Sequence, residues 1–535
     1  MDNLYQYLST HTILIHNDLS KELIEWYMRV SGYANLIGYP FLLHGPVPSV
    51  GAQFLSDFLI RKMYYLSNPF IANNLMILST LIISFCSMYF LSRYLKFSKF
   101  LSTNLSLIFI SQPYLWYRFL SATSSLYIIF IFPIVILALA KKINPILLGL
   151  IVSITFYYSN YYGYFAIILC IFWWAFSYLM DKNLRVIITT IFWFSSSVFL
   201  LIGLPQLDKV IHSTLVFGKY DTQSLQTADL EIEIPLRSVE DFFFFSNRPW
   251  YHLLPPSDAL VGGNLSSDVF SKLKLKGNYL FQNYDAEEAG GEYVAFPILL
   301  VLIYTLFKWK SFKFDQDEKR FIYRILFLLL SFEVLSLPPF IIIGSSKLYF
   351  PSYLLYVFMP GFRVLVRFAV LNHLFIVMLI GIILHKQFNR RFSQKAVLLG
   401  FTVSIVSLNL IHLPWYSINE PPLAVVSELN KSEPVLVAIY PQNDYHLYTD
   451  LLLAKVKVIN PEYFKDDNSF SADQFTKNLP SDDGLRFARQ AGVTHLIFSK
   501  SVVKFSSKKH LEAMNFFQAH LKQVYEDKNY LIYAL

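Results

Sequence analysis

Charge is what this sequence has least of. Asp, Glu, Lys and Arg make up only 15% of its 535 residues, against 55% hydrophobic ones. Its mean hydropathy is +0.43. Soluble domains do not sustain that balance, so the three or four soluble domains that the length would allow are excluded. Cysteine is almost absent as well. Cys86 and Cys170 both fall inside apolar runs, which excludes a disulfide framework or a cysteine metal site and leaves two small packed apolar side chains. The chain also lacks a phosphate loop, a dinucleotide fingerprint and a zinc-protease motif, so ATP-driven transport has no support. The first thirty residues lack the basic-then-apolar order of a cleavable signal, and none is expected.

What is abundant is aromatic and apolar: Phe 50 and Tyr 36, as expected where rings anchor at bilayer interfaces. Ten apolar segments read as membrane spans, at 71–92, 100–111, 124–140, 145–157, 161–180, 186–204, 292–307, 321–344, 364–384 and 395–413. Several are shorter than the ~20 residues of a perpendicular span and imply tilting or extension by aromatic flanks. The net charge of +8 does not point to nucleic acid, because the basic residues sit between apolar runs.

Their distribution sets a topology. Arg93/Lys96/Lys99, Lys141/Lys142, Lys182/Arg185, Lys308/Lys310/Lys313/Lys319/Arg320 and Lys386/Arg390/Arg391 occupy every second connection. The positive-inside rule places these in the cytoplasm. The stretch 205–291 and everything after Leu413 then lie outside. The same parity puts residues 1–70 outside, with no apolar run upstream of position 71 to carry them there. The expectation is therefore a first transmembrane helix preceding Met1 in a longer reading frame.

After Leu413 the pattern changes. Pro414, Pro421 and Pro422 interrupt it and charge becomes frequent. Segments 435–440 and 494–498 read as short buried strands, 482–490 and 508–522 as amphipathic helices, and 523–527 with 530–535 as a terminal hairpin. The expected organisation is an N-terminal external segment over 1–70, a transmembrane helical domain over 71–413, and a small extracytoplasmic α/β domain over 414–535.

Four polar patches on the external side are candidates for chemistry. Asp18, with His16 and Asn17, is placed to act as a general base or to hold a sugar hydroxyl; it equally suits the N-cap of an amphipathic helix. In the aromatic turn PYLWYRF, Arg118 is suited to grip a phosphate bidentately or to snorkel to lipid headgroups. The run NRPWYHLLPPSDALVGG carries Arg248, His252 and Asp258 on a loop that proline and glycine keep irregular, which suits recognition of a polar ligand or packing on the bilayer surface. Arg363 and Arg367, four residues apart in PGFRVLVRF, lie on one helical face and require an anionic partner, either a lipid-linked phosphate or a loop carboxylate such as Glu287, Glu288 or Glu292. Deeper in the spans, Glu333 and His373 are costly; two groups do not make an ion path, so neutral or hydrogen-bonded roles inside the bundle are expected.

Together these elements resemble the C-class (GT-C) glycosyltransferase superfamily, in its large bacterial branch of polytopic proteins with a soluble C-terminal domain. The resemblance covers nearly the whole chain through loose motifs. Asp18 in HNDLSKELIEW is similar to the acidic residue of the first external loop. YPFLLHGPVPSVGAQFLSDFL, PYLWYRF, TFYYSNYYGYF, RPWYHLLPPSDALVGG, GGEYVAF and PGFRVLVRF resemble successive elements of that pattern. The histidine–asparagine pair that the pattern carries after the aromatic-arginine turn is replaced here by Ser121-Ala122-Thr123.

The resemblance implies a mainly α fold, a polytopic transmembrane helical bundle of the GT-C type with a small C-terminal α/β domain. It also implies transfer of sugar from a polyprenyl-phosphate donor to a lipid-linked or cell-envelope acceptor on the extracytoplasmic face. Asp18 would be the catalytic base, with Arg118, Arg248, His252, Asp258, Arg363 and Arg367 binding substrate. No metal-ligand spacing stands out, although Asp18, Glu22 and Asp57 leave room for a divalent cation. Membrane lipids are expected partners and nucleic acid is not. The competing readings are a transporter or flippase of lipid-linked glycans, which needs a polar path at mid-depth, and a non-enzymatic envelope protein.

Overall fold

The computed structural model describes residues 11–13, 69–203 apart from 121–123 and 183, 242–275 apart from 244, 290–358 apart from 310–311, 313 and 344–345, 364–417 apart from 388–391 and 414, and, beyond these, 429, 435–440, 447, 451, 456–459, 479–490, 492–500 and 507–535 apart from 529. Among the described residues the chain is mainly helical, with a small sheet near its C-terminus.

A short strand β1 (His11–Ile13) is followed by helices α1 (Pro69–Tyr94), α2 (Lys99–Ile110), α3 (Pro113–Leu120), α4 (Ile131–Ala140), α5 (Pro145–Tyr158), α6 (Asn160–Asp181) and α7 (Leu184–Val198). Next come α8 (Gly263–Leu275), α9 (Phe296–Lys308), α10 (Gln316–Ser336), the hairpin β2 (Phe340–Ile343) and β3 (Ser346–Tyr349), α11 (Ser352–Phe358), α12 (Ala369–Gln387) and α13 (Phe392–Asn409). The remaining elements are β4 (Trp415–Ser417), β5 (Leu436–Tyr440), β6 (Lys457–Ile459), α14 (Asp482–Gln490), β7 (His495–Ser499), α15 (Ser507–His520), β8 (Lys522–Glu526) and β9 (Tyr530–Ala534).

Local sequence sets the helix starts. The Ser98 hydroxyl accepts the Leu101 N–H at the head of α2. Asn144 accepts the Ile146 N–H ahead of Pro145, which occupies the first turn of α5. Asp315 and Glu318 close a reciprocal capping box on α10. Ser159 ends α5 and caps α6, so the two helices are joined almost without a loop. Gly163 permits this tight hairpin: a Cβ there would lie 2.6 Å from the main-chain Cα of Phe156.

Among the described residues, four helical segments are long and apolar enough to cross a membrane: Asn73–Tyr94, Asn160–Asp181, Leu184–Ile202 and Leu365–Gln387. The apolar side chains of α7 point outward, among them Val186, Ile188, Phe192 and Trp193, as do Leu306 and Phe307 on α9. Water does not tolerate such continuous apolar faces, and a bilayer does. The chain is a membrane protein. At the centre runs α12, buried along all but its last turn. Phe165 of α6 stacks on Phe368 at 4.4 Å between centroids, while Phe332 of α10 meets Phe368 at 5.2 Å and Phe375 at 5.9 Å. Each such aromatic pair adds about 0.5–1.5 kcal/mol beyond simple burial.

One expected span is shorter than the sequence suggests. The apolar run 321–344 is not a single helix. Leu337 leaves the helical region, Pro338 and Pro339 follow, and the chain turns back as β2–β3. Proline restricts the residue before it and lacks the N–H that would continue the helix. Residues 113–118, expected as an external turn, lie instead in the short buried helix α3, with proline in its first position.

The C-terminal sheet has the strand order β6-β5-β7-β9-β8. β5 runs parallel to both neighbours, and β9 lies antiparallel between β7 and β8. Phe498 and Tyr440 of adjacent strands pack with Phe517 of α15 in its core.

Candidate functional site

Charged residues sort to the two ends of the helices. At one end Lys386 of α12 pairs with Glu318 of α10 at 2.7 Å, and Arg320 of α10 pairs with Asp181 of α6. At the other end lie the start of α6, the close of α10, the entry to α12 and the loop 245–262. This second end carries the polar cluster.

The loop is fastened to it by main-chain bonds. The Asn247 N–H donates to the Ser336 carbonyl at 2.7 Å, and the Val366 N–H donates to the Phe245 carbonyl at 2.9 Å. Arg248 is buried and serves the loop itself: its guanidinium donates to the Phe243 carbonyl at 2.7 Å and to Ser246. The turn Pro249–His252 then brings His252 over the turn Gly290–Glu292, where the Val294 N–H donates to the His252 carbonyl at 3.1 Å. Gly291 allows the second turn to press on Tyr114 of α3, whose ring a Cβ would meet at 3.1 Å.

His252 is held at both ring nitrogens. Nδ1 donates to the Glu292 main-chain carbonyl at 2.8 Å, and Nε2 lies 3.0 and 3.1 Å from the two carboxylate oxygens of Glu333. The Asn247 amide nitrogen donates to Glu333 at 3.1 Å and to the Ser336 hydroxyl at 3.3 Å. Burial pulls the imidazole toward neutrality. The charge and hydrogen bond of Glu333 and the charge of Glu292 outweigh it, so the His252 pKa rises to about 9. The Glu292 carboxylate is buried, its nearer oxygen 3.7 Å from His252 Nδ1, and neither of its oxygens has a hydrogen-bond partner among the described residues. Asn372 of α12 approaches it without closing a hydrogen bond. His252, Glu292 and Glu333 each offer a ligand atom within 4.8 Å of the others, the arrangement among the described residues best suited to hold a cation.

Two further contacts complete the region. The Tyr117 hydroxyl of α3 donates to the Asp258 carboxylate. Burial pushes the Asp258 carboxyl up, while the Tyr117 hydrogen bond works in the opposite direction. The Asp258 carbonyl also accepts the His412 N–H at 2.9 Å, beyond α13. Arg367, in the turn Leu365–Phe368, lies 4.7 Å over the Tyr161 ring. Arg118 is fully buried, 5.3 Å over the Tyr114 ring. The Tyr162 hydroxyl, beside Tyr161, lies 3.2 Å from the Tyr114 hydroxyl.

The structure thus brings Arg118, Arg248, His252, Asp258 and Arg367 to one end of the helices. Asp18 and Arg363 lie outside the described residues. Burial removes the snorkelling reading of Arg118. Glu292 belongs to His252, and Glu333, three residues from the end of α10, is hydrogen-bonded as expected but not at mid-span. Its membership in the site was not evident from sequence. His373 donates from Nε2 to the Tyr293 carbonyl at 2.9 Å, assigned on the tautomer that bond requires. It borders a cavity of about 20 Å³ with Gln112 and Asn409, room for one water.

No protein-family model and no curated protein matches the chain. Among solved structures, ArnT from Cupriavidus metallidurans bound to undecaprenyl phosphate aligns over 99% of this chain and 95% of its own, at 10% identity and a TM-score of 0.39. The Archaeoglobus fulgidus oligosaccharyltransferase in its apo form aligns over 91% of this chain and 66% of its own, at 11% identity and a TM-score of 0.42. The same enzyme in complex with Zn and sulfate aligns over 89% and 63%, at 10% identity and a TM-score of 0.39. At TM-scores this low, these are similarities alone.

Proposed function

We propose that the protein is a multi-pass membrane glycosyltransferase of the GT-C type. It transfers a sugar from a polyprenyl-phosphate donor to a lipid-linked or cell-envelope acceptor at the extracytoplasmic membrane surface. The motif order of the sequence supports this reading. The observation that carries it is the placement of Arg118, over the Tyr114 ring, and Arg367, over the Tyr161 ring, at the polar end, beside the loop that holds His252 and Asp258.

Each group then has a task. A phosphate leaving group needs its developing charge neutralised, and Arg367, only partly buried, is the guanidinium placed to meet it. Arg118, buried behind it, adds positive potential without touching the donor. His252 and Asp258 hold the loop that walls the site, Asp258 through Tyr117. Asp18 supplies the general base that takes the proton of the acceptor hydroxyl. The sugar leaves the phosphate as the acceptor oxygen bonds to its anomeric carbon. The alternation of basic connections in the sequence supports a position of this surface and the C-terminal sheet outside the cell. Transport needs a charged path at mid-depth, whereas Glu333 sits near the end of α10 and His373 is bonded to Tyr293.

The test is Asp18→Asn, with glycan modification of the envelope and membrane level both measured. Lost modification at an unchanged level supports the proposal; unchanged modification removes Asp18 from the mechanism.

A further inference from the structure

We propose that His252, Glu292, Glu333 and Asn247 form a binding site for a zinc-class divalent cation, which ties the loop 245–262 to α10 and to the turn at 290–292.

Four observations lead there. First, the ring is oriented: Nδ1 of His252 is committed to the Glu292 carbonyl at 2.8 Å, leaving Nε2 toward the Glu333 carboxylate. A metal-binding histidine has this arrangement, with one nitrogen anchored to a carbonyl and the other at the ion.

Second, the spacing fits. With metal bonds near 2.0–2.1 Å, neighbouring ligand atoms stand about 2.9–3.4 Å apart. His252 Nε2 lies 3.0 and 3.1 Å from the Glu333 oxygens. The Asn247 amide stands at another corner, 3.3 Å from Nε2 and 3.1 Å from Glu333. Its Oδ1 has no hydrogen-bond partner among the described residues, and turning the amide over presents that oxygen to the ion.

Third, Glu292 is 1% exposed and neither carboxylate oxygen finds a hydrogen bond among the described residues. A buried carboxyl left without a hydrogen bond is costly. It also lies within 4.8 Å of the other two ligand groups, a gap that a small side-chain adjustment closes.

Fourth, the donor set selects the ion. An imidazole nitrogen among carboxylates selects zinc-class ions over magnesium or calcium, which take oxygen.

The experiment uses the full chain, purified in detergent through a tag without histidine, loaded with Zn2+ and freed of excess. The expected result is about one zinc per chain, bound through a nitrogen and oxygen shell by X-ray absorption, with a rise in melting temperature over the chelator-stripped protein. His252→Ala and the near-isosteric Glu292→Gln should each lower retained zinc at least about tenfold, while size exclusion shows both variants folded. Wild-type protein that emerges free of zinc, variants that retain it equally, or a sulfur ligand shell would each overturn the proposal. Because the readout is metal content, its failure is separate from failure of sugar transfer.

Discussion

The Nδ1–H of His252 donates to the main-chain carbonyl of Glu292 at 2.8 Å, so the loop 245–262 and the approach to α9 share one imidazole. The other ring nitrogen faces Glu333 of α10. A single side chain thereby joins three separate stretches of chain, which makes the contact sensitive to substitution at any of its partners.

The first expectation concerns Glu333. Glu333→Ala leaves His252 Nε2 without its carboxylate and the Asn247 amide with only the Ser336 hydroxyl. Breaking such a pair costs about 3 kcal/mol, read as a lower melting temperature in detergent. Glu333→Gln keeps an acceptor oxygen and should lose less. Equal melting of Glu333→Ala and wild type would show that the pair does not hold the loop.

The second concerns the α5–α6 hairpin. Gly163→Ala puts a Cβ 2.6 Å from the Phe156 Cα, where main chain must shift. The expected cost is about 1–3 kcal/mol. Gly400→Ala, on α13 with nothing within 4 Å of the new Cβ, should be neutral or stabilise by up to about 1 kcal/mol. Thermal melts of the two variants side by side decide it.

The third concerns Tyr117 and Asp258. Tyr117→Phe deprives a partly buried carboxylate of its donor and should destabilise by about 1–3 kcal/mol. Asp258→Asn keeps an oxygen to accept the hydroxyl proton and should be milder. Proteolytic susceptibility of the loop 245–262 provides a second readout, rising in Tyr117→Phe and little changed in Asp258→Asn.

Much of this architecture is legible in the sequence because local signals and packing agree. The helix expected over 482–490 is α14, and the hairpin expected around Lys528-Asn529 is β8–β9. Both rest on amphipathic periodicity and turn residues acting within a few positions. The candidate site is less legible. Arg118, His252 and Asp258 are visible as polar residues in charge-poor surroundings. Glu292 and Glu333 are forty and eighty-one residues from His252, and no local pattern connects them. The signal in the sequence is their isolation: Glu333 is the one charged residue of α10 after Arg324, and Glu292 follows two glycines. The break after Ser336 is signalled by Pro338 and Pro339, yet the apolar run through 344 hides it, because an apolar strand and an apolar helix have the same composition.

The most direct measurement is sugar transfer by the purified full-length chain in lipid nanodiscs, supplied with a radiolabelled polyprenyl-phosphate sugar and an envelope-lipid acceptor. The account predicts label moving to the acceptor, with release of polyprenyl phosphate. It also predicts a loss of roughly a hundredfold in Arg367→Met in protein that remains folded. No transfer by the wild-type chain from any such donor, or equal transfer by wild type and Arg367→Met, would contradict it.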